Sequence, residues 1–401
     1  MQIKAYKFRL YPSALQQKQI IKQFVVCKEV HNIVLEQSLN AQVFNRRDLY
    51  TIVKDIKTTC PSYYYLVHSQ ALQNVADRLS KSFASTFRRA KERANGAKVK
   101  LGFPRFKSHI RSMTYPQSGF RFVNERKISI SKLGNIPIVL HRIPKGTMKT
   151  LTIKRNAAGQ WFATFCCELP EKHLAPLSPL DEAIGLDVGI NKFAALSNTE
   201  IIQNPRYLMK SEQKLIRLQR NLSRKKKGSK NRLKARFHLA LQHLKIRNQR
   251  YDFLHQTSTK LIRRYRHIVV EDLRIKNLVK HPNLAKHIHD ASWGNFVRML
   301  SYKAVAGGGF LEQVDPRYTS STCCNCLARN KMPLNKRVLT CHVCDFVCDR
   351  DVNAAVNIFN RRAGRARTHT PADRVTSASS PKLVSELNEP GTIVGNTTLS
   401  S

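Results

Sequence analysis

The feature that most constrains this chain is a group of cysteines between residues 323 and 344. Two Cys-x-x-Cys pairs, Cys323/Cys326 and Cys341/Cys344, enclose a basic loop of 14 residues. Four thiolates on two tight turns form a tetrahedral site that suits Zn²⁺. The loop is slightly shorter than the roughly 15–20 residues of the usual spacing. The pattern therefore predicts one structural zinc ion, around which this part of the chain must fold.

Cysteine usage also predicts a cellular compartment. Six of the ten cysteines fall within residues 323–348, whereas an oxidised disulfide framework would spread them more evenly. The longest uninterrupted apolar run is only residues 63–67, which predicts neither a transmembrane helix nor a secretory signal. We therefore expect a soluble protein of the cytoplasm.

The charge balance predicts a polyanionic partner. The 70 lysines and arginines outnumber the 26 acidic residues, and the net charge is +44. Nucleic acid is the first candidate for such an excess. A basic surface that serves solubility, or binding to a membrane surface, is the alternative, but the charge is spread over the whole chain. With 401 residues, more than one domain is expected.

The N-terminal part alternates between a strand and helices. Residues 2–10 alternate apolar and polar side chains, as in a strand, and Ser13 is a candidate N-cap for a helix that reaches about residue 37. A second helix is predicted where apolar residues recur at steps of three and four between Leu72 and Phe87. Its other face carries several cations, including Arg88 and Arg89. This face either contacts phosphates or is simply solvated.

Short β-runs follow from residue 103 to residue 170. They span 127–130, 136–140, 148–154 and 161–169, with glycine and proline between them, which is typical of a small barrel. The strand at 2–10 could complete their sheet, and the helices at 13–95 would then be an insertion. The stretch 103–107 interleaves phenylalanines with Arg105 and Lys107, which suits nucleic-acid stacking and phosphate contact. Core aromatics in a strand are the alternative interpretation.

A basic helical hairpin is predicted in the middle of the chain. Residues 206–250 hold 16 lysines or arginines and a single acid. A turn is expected at residues 225–229, with Lys225, Lys226 and Lys227 at its tip. Apolar residues at helical spacing suggest the packed face: Leu215, Leu218, Leu222, Leu233, Phe237, Leu241 and Leu244. The charge favours a track for a phosphate backbone over a merely solvated face.

Three acids stand where a carboxylate is costly unless it binds something. Asp187 lies in the apolar strand 183–190, and Glu271 ends a second apolar strand. Asp351 begins a helix-like run directly behind the cysteines. Brought together, three carboxylates repel one another unless cations bind, and two Mg²⁺ ions about 3.5–4 Å apart would neutralise them for hydrolysis of a phosphodiester. Three separately paired buried acids are the alternative.

Three motifs carry a family resemblance: GLDVGINKFAAL, VVEDLRIKNL and CDRDVNAAVNI. They resemble the motifs of the RuvC nuclease domain in the TnpB proteins of insertion-sequence transposons, with the cysteine ribbon between the second and third. The resemblance is close over about residues 180–360 and looser before them. It implies an RNA-guided, Mg²⁺-dependent DNA endonuclease of the prokaryotic cytosol or nucleoid, with guide RNA and double-stranded target DNA as partners. The oligomeric state stays open.

The resemblance also implies an α/β multi-domain fold and assigns residues. Asp187, Glu271 and Asp351 match the catalytic, Mg²⁺-binding acids, and the four cysteines of the two pairs match the zinc ligands. The implied domains are a wedge barrel (1–10 and 98–172), a helical recognition domain (11–97), a ribonuclease-H-like RuvC domain (173–365) and a disordered tail (366–401). The RuvC-like domain would contain the basic hairpin (205–266) and the inserted zinc ribbon (316–349).

Some residues depart from the family pattern or compete with the chosen ones. Leu327 stands where the ribbon usually has glycine, which predicts a looser first turn. Cys324 and Cys348 are extra thiols that could replace a ligand, although the Cys-x-x-Cys geometry argues against it. Asp349 competes with Asp351, and we choose Asp351 because it precedes Val-Asn-Ala-Ala. Asp272 adjoins Glu271, but strand alternation sends it to the opposite face.

Two other functions are consistent with the same residues. The first is a transposase, recombinase or junction resolvase of the same fold that works without a guide. The second is a zinc-ribbon regulator that binds DNA or RNA and has lost its catalytic activity. Copurifying RNA of discrete length would distinguish the guided nuclease from the first, and the effect of changing Asp187 would distinguish it from the second.

Overall fold

The computed structural model describes residues 2–170, 183–333 and 335–362. The predicted tail at 366–401 lies outside these residues. The chain divides into two compact units, the first containing residues 1–173 and 215–244 and the second the remainder. Among the described residues, no helix is both long and apolar enough to cross a membrane.

The first unit is built on a seven-stranded antiparallel sheet. Its strands are β1 (Gln2–Leu10), β2 (Ser112–Pro116), β3 (Phe120–Asn124), β4 (Lys127–Ile130), β5 (Gly134–Val139), β6 (Thr147–Arg155) and β7 (Trp161–Leu169). The order across the sheet is β2-β6-β7-β1-β5-β4-β3. The four predicted runs are confirmed, and β2 and β3 were not predicted.

Strand β1 joins the sheet of the later strands, as its sequence suggested, and lies in its middle. It pairs along its whole length with β7, from Gln2 opposite Leu169 to Leu10 opposite Trp161, and its last two residues also pair with β5. Its side chains alternate between buried and exposed, with Tyr6 and Phe8 in the core. The first ten residues therefore complete a sheet whose other strands come more than 100 residues later.

Four helices are inserted between β1 and β2. They are α1 (Ala14–Asn40), α2 (Arg46–Thr59), α3 (Pro61–Tyr64) and α4 (Ser69–Ala94). The predicted cap of α1 is confirmed, because the Ser13 hydroxyl accepts from the Gln16 N–H and the Gln16 side chain accepts from the Ser13 N–H. The predicted apolar face of α4 is buried between Leu72 and Phe83, so both helices follow from sequence periodicity.

The basic hairpin consists of α5 (Tyr207–Ser223) and α6 (Lys230–Arg264). Its turn contains Gly228 with φ +85°, a conformation that glycine adopts without strain. The Arg232 guanidinium donates to the carbonyl oxygens of Leu222 and Lys225 at 2.9 and 2.8 Å, which satisfies the end of α5. Residues 215–244 of this hairpin cluster with the first unit, whereas the sequence interpretation placed the whole hairpin with the nuclease motifs.

The predicted packed face is wrong on α6, whereas on α5 the predicted residues Leu215, Leu218 and Leu222 are half-buried between exposed neighbours. Leu233, Phe237 and Leu241 are among the exposed large apolar residues, and α5 has no buried residue. The buried positions of the first turns of α6 are Ala235, Leu239, Gln242 and Ile246. This set has the same helical spacing but lies on another face. The error arose because large side chains were counted as core, whereas a small alanine and a glutamine were not.

The second unit is organised around a five-stranded sheet. Its strands are β8 (Ile184–Val188), β9 (Lys192–Leu196), β10 (Ile201–Gln203), β11 (His267–Glu271) and β12 (Phe310–Val314), in the order β10-β9-β8-β11-β12. Strand β11 runs parallel to both β8 and β12, and β8, β9 and β10 form an antiparallel meander. The remaining elements are α7 (Ile275–Leu278), α8 (Pro282–Ala291), α9 (Trp293–Ala306), β13 (Val338–Thr340), β14 (Val347–Asp349) and α10 (Arg350–Asn360).

Helix α10 packs very closely on β8, and a glycine permits this. A Cβ atom on Gly185 would lie 2.2 Å from the carbonyl oxygen of Ala355 and 2.7 Å from Phe359. Four residues further along the chain, a Cβ atom on Gly189 would lie 4.0 Å from a carboxylate oxygen of Asp351. The helix therefore runs antiparallel to the strand, and its N-terminus lies at the carboxyl end of β8.

Candidate active site and metal centre

Asp187 and Glu271 lie on neighbouring parallel strands. The register pairs Leu186 on β8 with Val270 on β11, so the two acids occupy the next position on each strand. This edge, at the carboxyl ends of parallel strands, is where sheets of this kind present functional groups. The strand register alone thus brings together two acids that are far apart in sequence.

Asp351 joins them from the first turn of α10, and Asp349 has a different task. The Asp349 side chain caps the helix, accepting from the N–H groups of Asp351 and Val352 at 3.0 and 3.3 Å. It also forms an ion pair with Lys192. The carboxylate of Asp349 is therefore committed to local structure, whereas the carboxylate of Asp351 is directed towards Gly189 at the end of β8.

The three acids share one electrostatic environment. Burial, followed by the charges of Glu271 and Asp351, raises the pKa of Asp187 well above its ordinary value. Burial also raises the pKa of Glu271, against the opposing effect of a hydrogen bond from Thr319, and raises the pKa of Asp351, which Asp349 raises further. Nearby cations oppose these shifts, since Arg350 lowers the pKa of Asp187 and of Asp351 and Arg361 lowers that of Glu271, but burial outweighs them. The geometry thus resembles a cation site more than three separately paired acids.

The donor set fits Mg²⁺, which prefers oxygen ligands. Among the residues that the structure describes, only the four cysteines form a group of three or more side chains whose metal-binding atoms all lie within 4.8 Å of one another. The carboxylate oxygens are therefore spaced more widely than a single-ion cage. Two ions about 3.5–4 Å apart, each about 2.1 Å from its ligands, would span a wider spacing than one ion does.

In the Mg²⁺-free protein we expect Asp187, Glu271 and Asp351 to destabilise the fold less as the pH falls. Because the three pKa values are raised in the folded state, folding favours proton binding, and the free energy of unfolding decreases as the pH rises through the raised values. This destabilisation disappears at a pH near 3.8, the ordinary pKa of aspartate, because the acids are then protonated in the unfolded state as well. In Mg²⁺-free buffer, each kcal/mol of this destabilisation that protonation removes should raise the melting temperature by about 2–4 °C.

The control for this pH effect is Asp187→Asn, measured by thermal melts of both proteins across the same pH series. The variant lacks the most perturbed acid, so its melting temperature should vary less with pH than that of the parent. The same pH dependence in both proteins would contradict the assignment.

The four cysteines have the geometry of a zinc site. The Cys323 and Cys344 sulfurs are 3.8 Å apart, and those of Cys326 and Cys341 are 3.4 Å apart. A tetrahedron with Zn–S bonds of about 2.3 Å requires edges of about 3.8 Å. Burial acts to raise the pKa of Cys341, but hydrogen bonds from its neighbours outweigh this and lower it to about 6. The cysteines predicted from spacing therefore converge at distances that suit zinc.

The turns that hold these sulfurs include two strained residues. Leu327 has φ +64° and Asp345 has φ +52°, and both are in the left-handed region. Each closes its turn by donating its N–H to the carbonyl oxygen of the first cysteine of the pair, Leu327 to Cys323 at 3.0 Å and Asp345 to Cys341 at 3.1 Å. The first turn is thus closed as it would be with glycine, at a cost of about 1 kcal/mol for a residue with a Cβ.

Leu327→Gly should therefore tighten zinc binding. Leu327 is largely exposed, so little packing is lost, and the gain should be about 0.5 kcal/mol after the extra chain entropy of glycine is subtracted. Competition with a coloured chelator measures this affinity. Val343→Gly is the matched control, because Val343 is an exposed turn residue outside the left-handed region, and it should weaken binding. Weaker binding in Leu327→Gly would disprove the strain.

The extra thiols lie outside the group of four sulfurs. Cys324 is buried, and its N–H donates to the Asn353 side chain at 2.8 Å. The Cys348 thiol donates to the carbonyl oxygen of Asp349 at 3.2 Å. A hydrogen bond between the two thiols raises the pKa of Cys324 and lowers the pKa of Cys348. Neither thiol belongs to the group of ligand atoms within 4.8 Å.

The predicted phosphate-contacting residues differ in availability. The Arg89 side chain folds back onto the carbonyl oxygens of Ser85 and Gly102. The Lys107 ammonium lies 3.4 Å from His31, and burial lowers its pKa. The side chains of Arg89 and Lys107 are therefore engaged in contacts within the protein and are less available to phosphates.

Other cations remain accessible. Arg88 and Arg105 are exposed, and so are the turn residues Lys225, Lys226 and Lys227. The stretch 103–107 is a loop, so the alternative of a strand is wrong. Phe106 is 60 % exposed, whereas Phe103 packs at the edge of an aromatic cluster. An aromatic ring beside Arg105 is therefore available for stacking.

Sequence reasoning missed several residues that support the acids. Lys192 pairs with the capping carboxylate of Asp349, and Thr319 donates to Glu271. Asn353 and Asn357 are buried on α10 and donate to carbonyl oxygens in the segment before Cys323. The sequence did offer a signal for them, because two asparagines four residues apart lie on an otherwise apolar helix face. Buried amides need hydrogen-bond partners, so this pattern indicates polar contacts with another segment.

Comparisons with protein families agree with these observations. Residues 164–281 match a family described as "Probable transposase", the OrfB type of IS605 elements. Residues 293–358 match a Cas12f1-like TNB domain. Residues 1–41, which form β1 and α1 here, match a helix-turn-helix domain of the same OrfB family.

A solved structure of Cas12f1 with single-guide RNA and target DNA matches 90 % of this chain and 99 % of its own, with a TM-score of 0.52 and 14 % identity. At that identity the match shows the fold alone, a mixed α/β architecture with a curled sheet.

Individual relatives match over most of the chain. A Streptomyces pristinaespiralis protein named "Putative RNA-guided DNA endonuclease" is 34 % identical over 89 % of this chain and 88 % of its own. The Escherichia coli K12 protein InsQ, with the same description, is 29 % identical over 89 % and 92 %. A Methanocaldococcus jannaschii protein named "TnpB-like" is 31 % identical over 37 % and 57 %. Because the Streptomyces protein is 34 % identical over nearly the full length of both proteins, the chain belongs to the TnpB family.

Proposed function

We propose that this protein is an RNA-guided DNA endonuclease that cleaves DNA beside a short flanking motif. The observation that carries the proposal is the convergence of Asp187, Glu271 and Asp351 at the carboxyl edge of one sheet, where burial and mutual repulsion raise their pKa values. Relatives that match over most of their length bear the name of such an enzyme. The site of action would be the prokaryotic cytosol, where the DNA lies.

The domains predicted from the resemblance become proposals for the two units. The second unit would be a ribonuclease-H-like RuvC domain, with residues 316–349 as its zinc ribbon. The seven-stranded sheet of the first unit would be the wedge, and residues 11–97 its recognition insertion. The strand β1 supports this division, because it joins the wedge sheet from the other side of the insertion.

The three acids would hold two Mg²⁺ ions. When bound, the ions supply an activated water for in-line attack and charge stabilisation for the leaving oxygen. Asp187 and Glu271 would provide ligands from fixed strand positions, and Asp351 from the first turn of α10. Asp349 would keep that turn in place through its cap and its pair with Lys192. Metal ligands on rigid elements hold their geometry better than ligands on loops.

The cations would hold nucleic acid by its backbone. In a guided enzyme, base pairing with the RNA reads the sequence, so the protein needs phosphate contacts and shape rather than base contacts. The exposed cations Arg88, Arg105 and Lys225–Lys227 suit this role. Arg89 and Lys107 would contribute indirectly, by fixing the loop that carries Arg105 and Phe106.

The test is to sequence the RNA that copurifies with the protein and then to offer DNA that matches it. Discrete RNA together with Mg²⁺-dependent cleavage of matched DNA supports the proposal. Cleavage without RNA would instead support a guide-independent transposase or resolvase. Binding of DNA or RNA without any cleavage would support the inactive zinc-ribbon regulator.

A further inference from the structure

A hydrogen bond from a buried hydroxyl fixes the orientation of Glu271. The hydroxyl of Thr319 donates to Oε1 of Glu271 at 2.6 Å. Thr319 is only 3 % exposed, so water does not compete readily for this contact. The bond occupies one lone pair of one carboxylate oxygen and leaves Oε2 and the remaining lone pairs available. The carboxylate is therefore oriented without being neutralised.

Thr319 is itself held by α10, the helix that carries Asp351. The Asn357 amide donates to the carbonyl oxygens of Thr319 and Thr322 at 2.8 and 2.7 Å. The Asn353 amide donates to Thr322 at 2.8 Å, and its oxygen accepts from the N–H of Cys324 at 2.8 Å. Both asparagines are buried, and their spacing of four residues places them on one face of the helix.

These contacts form a continuous connection. One helix carries Asp351 in its first turn and, through Asn353 and Asn357, fixes the segment that positions Glu271. The same segment leads directly into the first zinc-binding turn, since Cys324 follows the zinc ligand Cys323. A rearrangement of this segment would therefore change the distance between two of the acids, even though it contains none of them.

We propose that Thr319 is a positioning residue that sets Glu271 for divalent-cation binding, and that Asn353 and Asn357 lock it in place against α10. The inference rests on the proposed function, which makes Glu271 a metal ligand. Partners that orient a ligating carboxylate in this way typically contribute about 10–100-fold to metal affinity or activity. Thr319 acts on the cation only through Glu271.

The experiment compares Thr319→Val, Thr319→Ser and Ser321→Ala with the parent, all as full-length, zinc-loaded protein. Mn²⁺ serves as the probe, because carboxylates bind it and its binding is measurable by calorimetry without any cleavage. Thr319→Val should bind Mn²⁺ about tenfold more weakly and need correspondingly more Mg²⁺ for half-maximal cleavage. Thr319→Ser keeps the hydroxyl and should restore both values. The Ser321 hydroxyl donates to the carbonyl oxygen of Tyr318 at 3.4 Å, so its removal should change neither.

Mn²⁺ binding by Thr319→Val that equals the parent's would overturn the inference. Thermal melting checks that the variants are folded, and Thr319→Ala replaces the valine variant if that one does not fold. If the parent cleaves no guided DNA but Thr319→Val still loses Mn²⁺ affinity, the positioning role stands and the nuclease proposal fails. If the parent cleaves and Thr319→Val is indistinguishable from it, only the positioning role fails.

Discussion

Asp187→Asn should abolish DNA cleavage while leaving the binding of RNA and DNA intact. The substitution keeps the shape of the side chain but removes the charge of the acid whose pKa burial and both neighbouring acids raise. Asp187 would be one of the residues that hold the Mg²⁺ ions, and losing it would remove several kcal/mol of transition-state stabilisation, so the rate should fall by about 10³-fold or more. Single-turnover cleavage of guide-matched DNA at saturating Mg²⁺ measures this loss.

The same variant should be at least as stable as the parent in Mg²⁺-free buffer. In the parent, burial and two neighbouring acids disfavour the charge on Asp187, and the amide relieves that repulsion. Asp272→Asn is the matched control, because Asp272 is an exposed acid directly beside Glu271. Cleavage by Asp187→Asn at the rate of the parent would refute the active site, and so would an equal loss in Asp272→Asn.

Removal of zinc should be nearly as damaging as the loss of an acid, although the zinc site contains none of them. Strand β14 ends at Asp349, and α10, with Asp351, starts at the next residue. Structural zinc contributes apparent binding free energies of about 10–16 kcal/mol, comparable to the whole stability of a domain. Without it, the turns at Cys323 and Cys341 should open, and cleavage should fall by about 100-fold.

The zinc experiment needs chelation followed by restored Mg²⁺, together with Cys341→Ser as a genetic equivalent. Hydrogen exchange should report loss of protection at the N-terminus of α10 in both cases. Cys60→Ser is the matched control, because Cys60 is an exposed thiol outside the zinc ligands and should behave like the parent. Full activity after complete removal of zinc would show that the ribbon does not support the acids.

The parts predicted well from sequence were those set by local chemistry. Alternation in residues 2–10 predicted β1, and Ser13 predicted the start of α1. The Cys-x-x-Cys spacing predicted the four sulfurs that converge. The choice of Asp351 over Asp349 stays a prediction, which the role of Asp349 as the helix cap supports. In each case a few neighbouring residues determine the outcome.

The parts that could not be predicted depend on partners distant in sequence. Nothing near Lys107 indicates that its ammonium will lie against His31. The buried face of α6 depends on which side of the helix packs against the rest of the protein. Phe237 is exposed, whereas the small Ala235 is buried. The bond from Thr319 to Glu271 joins residues 48 positions apart. Such contacts arise from tertiary packing, which overrides local pattern.

The central position of β1 has a consequence for synthesis on the ribosome. Residues 2–10 are made before α1 and before the other strands of their sheet, and their main partner, β7, is made about 150 residues later. At about 5–20 residues per second, these residues wait roughly ten to thirty seconds for a neighbour, while the local contacts of α1 and α4 can already form. A nascent edge of apolar and basic side chains is exposed throughout that interval, so translation speed and chaperone access should influence the yield of active protein.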